Sequence, residues 1–477
     1  MLKILQQESA DCYCSSATGK SRSRQLIVRA VHAGFSALRP IVKVVGKKRL
    51  EKPMAWLERV AKGVLFDCRM CGNCTLNVTA LRCPARCLKG LRNGPCGGVR
   101  PNGYCEVDAT IPCAWLDIWQ HNGGLLPERL PAQEHQFAGR STWIAEAMEG
   151  MPSAAALPPR RRFPAGRFER ALANGEFVIT AEIAPGTAAN ASGILSQAEQ
   201  IAPWVTAITL TDNAGSHAAV SSMAGCALLV RNGYPAILQM TCRDRNRIAL
   251  QSDLLSAAAL GIENVLCLTG DGVGNGDHPG AKPVFDLDSV SLLATACTLR
   301  DSGTFLSGRP LAAPPEYFVG AAENPFAPPF AARVQRLQRK IDTGAQFLMM
   351  QVVYDVPAFE LFMAEVRRLG LHRRVHIIAG VGLPTSPKAA RWIAKHVPGI
   401  RIPEQVFEQL ENSTNPLNAG ISLMTDNIRR LHAIDGLAGV HLLMHPHQLH
   451  LMSDVITQAG LRAPSKGAAS ESSGTCA

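Results

Sequence analysis

The chain has 477 residues and a mass of 51.1 kDa, enough for two to four domains, or fewer if one is a barrel. With 47% hydrophobic and 18% charged residues it can bury a large core, which excludes wholesale disorder. No window reaches the roughly 18 uncharged apolar residues that a membrane span requires, so neither a span nor a membrane partner is expected. Residues 1–30 lack an apolar h-region, so no signal peptide is expected and the location is expected to be cytoplasmic. The charge is uneven. Residues 1–165 carry 24 Lys and Arg against 12 Asp and Glu, and the remainder carries 25 against 26. Eight of the 15 cysteines fall between Cys68 and Cys113. Composition thus divides the chain into a basic, cysteine-rich front and a larger neutral rear.

In chain order, residues 1–55 form a basic N-terminal segment with weak helical periodicity through Leu26, Val28, Val31, Phe35 and Leu38. Its run from Lys43 to Lys52 is expected to be solvated. From Met54 to Phe66 apolar residues recur at helical spacing and lead straight into the cysteines. Residues 56–150 are expected to form a small cysteine-rich, metal-binding domain, with Trp115 and Trp119 one helical turn apart in a packing segment. Residues 151–168 contain four prolines and a basic run and read as a linker.

The rear part, 169–462, alternates apolar strand-like runs with helix-like stretches. The strands are expected at 176–183, 205–212, 235–242, 263–270, 316–322, 345–353, 375–381 and 439–445. Each is nearly continuous in Val, Ile and Leu, as strands buried on both faces of a parallel sheet are. Several intervening helices end at a glycine, notably Gly261, Gly344 and Gly370. Eight such units predict an α/β fold, a (β/α)8 TIM barrel; a doubly wound sheet is the competing architecture. A barrel places its site at the C-terminal strand ends. Those ends carry Glu182, Thr211, Gln239 to Cys242, Asp271, Ala321, Ala322, Gln351, Gly380 and His445. Residues 463–477 are rich in Ser, Ala and Gly and are expected to be a disordered tail.

Two further patterns bear on chemistry. The string from Thr269 to Gly276 is glycine-rich but does not give G-x-G-x-x-G, so it reads as a mobile loop rather than a dinucleotide fingerprint. The histidines at 441, 445, 447 and 450 are irregularly spaced and weak as metal ligands. Cys68, Cys71 and Cys74 form C-x2-C-x2-C, and Cys83 precedes a proline, a pattern akin to iron–sulfur ligation. Cys87, Cys96, Cys105 and Cys113 supply four more thiols, enough for a second cluster or a tetrahedral zinc. Iron–sulfur and zinc both remain open.

The strings AEI (181–183), LTDN (210–213), QMTCRDRN (239–246), LTGD (268–271), QRKIDTGAQFLMMQ (338–351) and RIP (401–403) occur in an order and spacing that resemble methylenetetrahydrofolate reductase. The resemblance covers roughly 290 residues. The front string from Phe66 to Val107, with Pro112 to Trp115, resembles the cysteine-rich domain fused to or paired with such reductases. The chain departs from the family at several points. Ala184–Pro185–Gly186 replaces a pair of prolines, Ala321–Ala322 an aromatic, Gln239 a histidine, Thr269 an arginine and Arg333 an acid.

The resemblance implies FAD-dependent interconversion of 5,10-methylenetetrahydrofolate and 5-methyltetrahydrofolate, in methionine synthesis or methyl-group oxidation. In it Glu182 is the general acid for the departing nitrogen, at a strand end where desolvation favours a protonated carboxyl. Asp271 is the charged partner that stabilises the iminium cation, and Gln351 meets the pterin edge. The expected flavin contacts are Thr211, Gln239, Thr269, Gly270, Asp271, Ala321 and Ala322, with Asn213 able to reach flavin or folate. Arg339 and Lys340 are expected at the FAD pyrophosphate. Expected partners are the folate, NAD(P)H or an electron-transfer protein, and a second copy of the chain. The rear part is expected to fold and bind FAD alone. The rival classes are a nucleic-acid-binding zinc module, which lacks an RNA-binding motif, and a non-catalytic scaffold in a methyl-transfer complex.

Overall fold

The computed structural model of the chain describes residues 39–149, 157, 166–397 and 399–461. The expected helical periodicity at 26–38, nearly all of the linker and the tail from 463 lie outside these residues. By internal contacts the chain forms two compact units, one of Met1–Asn93 with Ala114–Ala155, the other of Gly94–Cys113 with Ala156–Ala477.

In the first unit, helix α1 spans Lys47–Phe66, α2 Ala114–His121 and α3 Thr142–Glu149. Trp115 on α2 is fully buried, and its indole N–H donates to the Leu91 carbonyl at 3.0 Å. The segment around the tryptophans is therefore a packing helix, as the one-turn spacing requires.

The second unit is a closed barrel of eight parallel strands in sequential order. They are β1 (Val178–Ile183), β2 (Ala207–Leu210), β3 (Ala236–Thr241), β4 (Asn264–Leu268), β5 (Phe318–Glu323), β6 (Phe347–Val352), β7 (His376–Gly382) and β8 (Gly439–Leu443). All eight expected strands are present, and closure of β1 on β8 rules out the doubly wound sheet. Around them lie α4 (Arg167–Ala173), α5 (Ser192–Ile201), α6 (Ser222–Arg231), α7 (Arg247–Ala259), α8 (Ser289–Cys297), α9 (Phe330–Thr343) and α10 (Val356–Arg368). Helices α11 (Pro387–His396), α12 (Glu404–Glu411), α13 (Pro416–His432) and α14 (Met452–Gln458) follow. Local chemistry sets the helix starts. Asn246 accepts from the Ile248 and Ala249 amides, Asp288 from Ser291 and Asp355 from Ala358, each satisfying donors the helix leaves open. The stop after α9 needs glycine, because Gly344 sits at φ 111° and an added Cβ would lie 2.7 Å from Cys297 Sγ.

The N-terminal end of the barrel is plugged. Helix α4 inserts Phe168, fully buried, edge-on to Phe318 and Phe347 at centroid distances of 5.8 and 5.4 Å. Val178, Ala207, Ile237, Leu266 and Ile378 complete this apolar layer. With that end filled, the C-terminal mouth is the end of the barrel at which a ligand is expected.

The division between units differs from the expected boundary at 150. Gly94–Cys113, inside the cysteine-rich stretch, counts with the barrel. The reason is a set of hydrogen bonds to its backbone carbonyls: Arg333 donates to Cys96 at 2.9 Å, Asn324 to Gly97 at 2.6 Å, and Arg336 to Pro95. Its Tyr104 and Pro112 form an antiparallel bridge.

Candidate active site at the barrel mouth

The centre of the mouth is built from β1, β3 and β8. Glu182 leaves β1 with its side chain 26% exposed, and its Oε2 accepts from Gln239 Nε2 at 2.9 Å. Register pairs Thr180 with His441 across β1 and β8. The Thr180 hydroxyl lies 3.0 Å from His441 Nδ1, and His441 Nε2 lies 3.8 Å from Glu182 Oε2. A carboxylate is therefore held on one oxygen by an amide donor, faces a buried imidazole, and stays open to the mouth. Sequence reasoning placed Glu182 and Gln239 here but weighed His441 only as a weak metal ligand. Its signal was a polar residue in the middle of an apolar strand.

The string after β3 builds one wall. Asp212 accepts from the Thr241 amide at 2.8 Å and its hydroxyl at 2.9 Å, and pairs with Arg245, which also meets Asp253 at 3.1 Å. Arg243 chelates Asp244 through two bonds of 2.7 and 2.8 Å and donates to Ser216 and to the Asn213 carbonyl, both at 3.0 Å. Burial opposes the Asp244 charge, but the Arg243 guanidinium holds its carboxyl below the usual range. Arg247 pairs with Asp286 at 2.8 Å. The charged residues of this motif are thus mutually engaged and set loop shape.

Thr211 and Thr269 are half-buried beside this wall, and the Thr269 hydroxyl accepts from the Ser289 amide at 3.2 Å. Gly270 has φ 92°, and an added Cβ would lie 3.0 Å from Arg243 Cβ, so the turn after β4 admits no side chain. Asp271 follows it, exposed, in the field of Arg243. The loop beyond is not free-standing: Ser216 donates to the Gly272 carbonyl at 3.0 Å, and Asp277 accepts from the Ala218 amide at 3.1 Å. Those two bonds tie it to the loop after β2. Ala321 is buried in β5 and Ala322 half-buried, while Gln351 on β6 turns its amide oxygen to the Val352 N–H at 2.9 Å.

Lys340 does not stand where the sequence placed it. Glu323, at the end of β5 and 4% exposed, accepts from Lys340 at 2.8 Å and Arg336 at 3.3 Å. Lys340 also donates to the Ala322 carbonyl, and Arg333 donates to Ala327 at 2.6 Å. Three buried cations thus surround one carboxylate. Burial raises the Glu323 carboxyl, but Arg336, Lys340 and Arg333 outweigh it and hold the carboxyl at about 2. The surplus falls on the cations: burial with like charges alongside lowers Lys340 to about 8 and Arg333 to about 10. A lysine so engaged is not offered to a diphosphate. Arg339, one residue earlier, is half-buried.

In the first unit, Cys68, Cys71, Cys74 and Cys83 line one cavity together with Lys62 and Glu58. Burial pushes the Cys83 thiol up to about 11, with the neighbouring thiols adding to the shift. Lys62 donates to Cys74 Sγ at 3.3 Å, to Glu58 at 2.6 Å and to Thr142 at 2.7 Å. Among the described residues, no three His, Cys, Asp or Glu side chains stand in metal-holding geometry as placed. The donor chemistry, four thiols around one cavity with a cation beside them, still suits a thiophilic metal. Cys87 belongs to this unit, whereas Cys96, Cys105 and Cys113 belong to the barrel's unit.

Comparison with known proteins gives two matches along the chain. A family model described as methylenetetrahydrofolate reductase matches residues 167–458, and one described as the methylene-tetrahydrofolate reductase C terminal matches residues 48–130. A probable methylenetetrahydrofolate reductase (NADPH) of Caenorhabditis elegans is 26% identical over 196 residues, 40% of this chain and 26% of its own length. Methylenetetrahydrofolate reductase 2 of Schizosaccharomyces pombe is 26% identical over 247 residues, 50% of this chain and 38% of its own. The chain spans well under half the length of these curated relatives. Among solved structures, an uncharacterized protein from Clostridium thermocellum, described as binding two copies of 5-methyl-5,6,7,8-tetrahydrofolic acid, aligns with a TM-score of 0.45. It is 15% identical, over 62% of this chain and 98% of that one. With the reductase model covering the whole barrel and more than half of the chain, the protein belongs to the methylenetetrahydrofolate reductase family.

Proposed function

We propose that the chain interconverts 5,10-methylenetetrahydrofolate and 5-methyltetrahydrofolate at the barrel mouth. The observation that carries this is Glu182, fixed by Gln239 on one oxygen, backed by His441 and open to the mouth. Opening the folate's five-membered ring requires a proton on the departing nitrogen. Gln239 occupies Oε2, which leaves Oε1 of Glu182 to carry that proton. His441 and Thr180 lie behind the carboxyl and can return a proton to it. Asp271, beyond the β4 turn, places a negative charge at the mouth to favour the cationic iminium; the nearby Arg243 moderates it.

The mouth suits the ring end of a flavin, with Thr211, Gln239, Thr269, Gly270, Asp271, Ala321 and Ala322 as its surroundings and Gln351 for the folate. FAD bound there would supply the hydride. The cation set for a diphosphate is reduced to Arg339, since Lys340 is held by Glu323. The nematode relative's description supports NADPH as a donor to test first. Cys68, Cys71, Cys74 and Cys83 are proposed to hold zinc or an iron–sulfur cluster. Cys87, Cys96, Cys105 and Cys113 are the remaining candidate ligands.

Glu182→Gln tests the reading. Flavin content and reduction by the electron donor should stay near wild type, while the folate half-reaction, followed by stopped flow, falls by about 10²–10⁴-fold. A variant that keeps more than about a tenth of the folate rate removes the acid assignment. Purified protein without flavin, not loaded by added FAD, removes the flavin from it.

A further inference from the structure

Helix α1 presents the wrong face to its own domain. Over its 20 residues the buried side chains are Glu58 and Lys62. Glu58 accepts from Lys62 at 2.6 Å, from the Ser141 hydroxyl at 2.9 Å, from the Trp143 amide at 3.3 Å and from the Thr142 hydroxyl. It therefore sits on the N-terminus of α3, where a carboxylate is favoured. Glu51 joins it by accepting from the Ser141 amide at 2.7 Å. The inner face of α1 is polar, and both of its acids are committed there.

At 100° per residue, Trp56, Val60, Val64 and Leu57 fall within an arc of about 100° centred opposite Glu58 and Lys62. Their exposures are 67, 47, 83 and 47%. Lys48, Lys52 and Arg59 line one edge of the arc, and Arg49 extends it toward the helix start; all four are exposed. Ile41 and Val44, ahead of Gly46, are also exposed, at 51 and 86%. The outer surface is thus an apolar crest about 12 Å long, from Trp56 to Val64, basic along one edge and toward the helix start.

We propose that this face of α1 seats on an anionic lipid surface, with Trp56, Val60 and Val64 at the acyl boundary and the flanking cations on the headgroup phosphates. Charge complementarity selects the occupant. A second copy of the chain would bring like charges together, whereas an anionic bilayer neutralises them. Shape selects further: a convex stripe on one helix, with its tryptophan next to the cations, matches a plane rather than a groove. No described helix is long and apolar enough to cross a membrane, so the contact is peripheral. This revises the sequence expectation of no membrane partner and does not depend on the reductase reading.

The test is flotation of the full chain with vesicles of phosphatidylglycerol and phosphatidylcholine in equal parts, against phosphatidylcholine alone, at low and high salt. Partitioning should be at least about tenfold stronger on the anionic vesicles and should fall with salt. Val60→Asp/Val64→Asp and, separately, Lys48→Gln/Lys52→Gln/Arg59→Gln should each lower it by about tenfold or more without moving the thermal midpoint, because these side chains are exposed. Wild-type protein that stays with the aqueous phase, or both variants floating as wild type does, overturns the proposal. So does a concentration-dependent dimer that Val60→Asp/Val64→Asp dissolves, which would give the face to a second copy. Loss of vesicle binding in favour of a stable complex with an acidic protein would do the same.

Discussion

Glu323→Gln removes the one carboxylate among three buried cations while keeping the side chain's shape. Its carboxyl is held at about 2 against an ordinary 4.5, despite burial, by Arg336, Lys340 and Arg333. At about 1.36 kcal/mol per unit, that difference stabilises the folded barrel by about 3 kcal/mol at neutral pH. The same figure follows from breaking a buried ion pair by deleting one partner, about 3–5 kcal/mol. Hydrogen exchange read peptide by peptide across Phe318–Glu323 and α9, with urea unfolding of the full chain, measures the loss. Lys340→Met in the same chain should then return at least about 1 kcal/mol, since it removes one of the cations left unpaired. A Glu323→Gln protein within about 0.5 kcal/mol of wild type, or a double variant no better than the single, refutes the argument.

The same cluster fixes a pH response. Because the folded Glu323 carboxyl lies near 2, below its ordinary 4.5, its contribution is complete above 4.5 and is lost as pH falls from 4.5 toward 2. Lys340, lowered from 10.5 to about 8, has the opposite history: the unfolded chain binds more protons between those values, so stability rises with pH there, and Lys340→Met flattens that limb of the melting curve. His441→Asn should slow the folate half-reaction by about tenfold, the worth of roughly one hydrogen bond, with flavin content unchanged; an unaltered rate removes His441 from the site. Lys62→Met strips the cation from the four-thiol cavity and leaves Glu58 uncompensated, so it should cost about 3–5 kcal/mol and lower bound zinc or iron per chain. Full metal content at wild-type stability would contradict that.

The barrel was readable because strands buried on both faces must be apolar throughout, and eight such runs recur with glycine stops between them. Gly261, Gly344 and Gly370 all take positive φ, at 77, 111 and 68°. Glu182 and Gln239 were legible as polar residues ending such runs. The cluster at Glu323 was not, because charges on a helix are read as solvated. Its signal was present: Arg333, Arg336 and Lys340 lie at i, i+3 and i+7, one face of α9, just after a strand that closes on a glutamate. The affiliation of Gly94–Cys113 with the barrel left no comparable trace. The acceptors there are the backbone carbonyls of Pro95, Cys96 and Gly97, and carbonyls carry no side-chain code.

Those carbonyls turn the fusion of the two parts into a folding obligation. The polypeptide passes from one compact unit to the other three times, at Asn93–Gly94, Cys113–Ala114 and Ala155–Ala156, so no single cut separates them. A rear fragment starting after residue 165, which the sequence alone suggests is self-sufficient, would keep Arg333 with Ala327 and Arg336 with Glu323 but lose one acceptor of each, the Cys96 and Pro95 carbonyls. The freed donor on each buried guanidinium would then need water or a new acceptor at a cost of about 1–3 kcal/mol. Divided into two polypeptides, the cysteine-rich part would have to thread residues 94–113 onto the barrel as an intermolecular clasp, and neither piece would reach its full stability before the other was present.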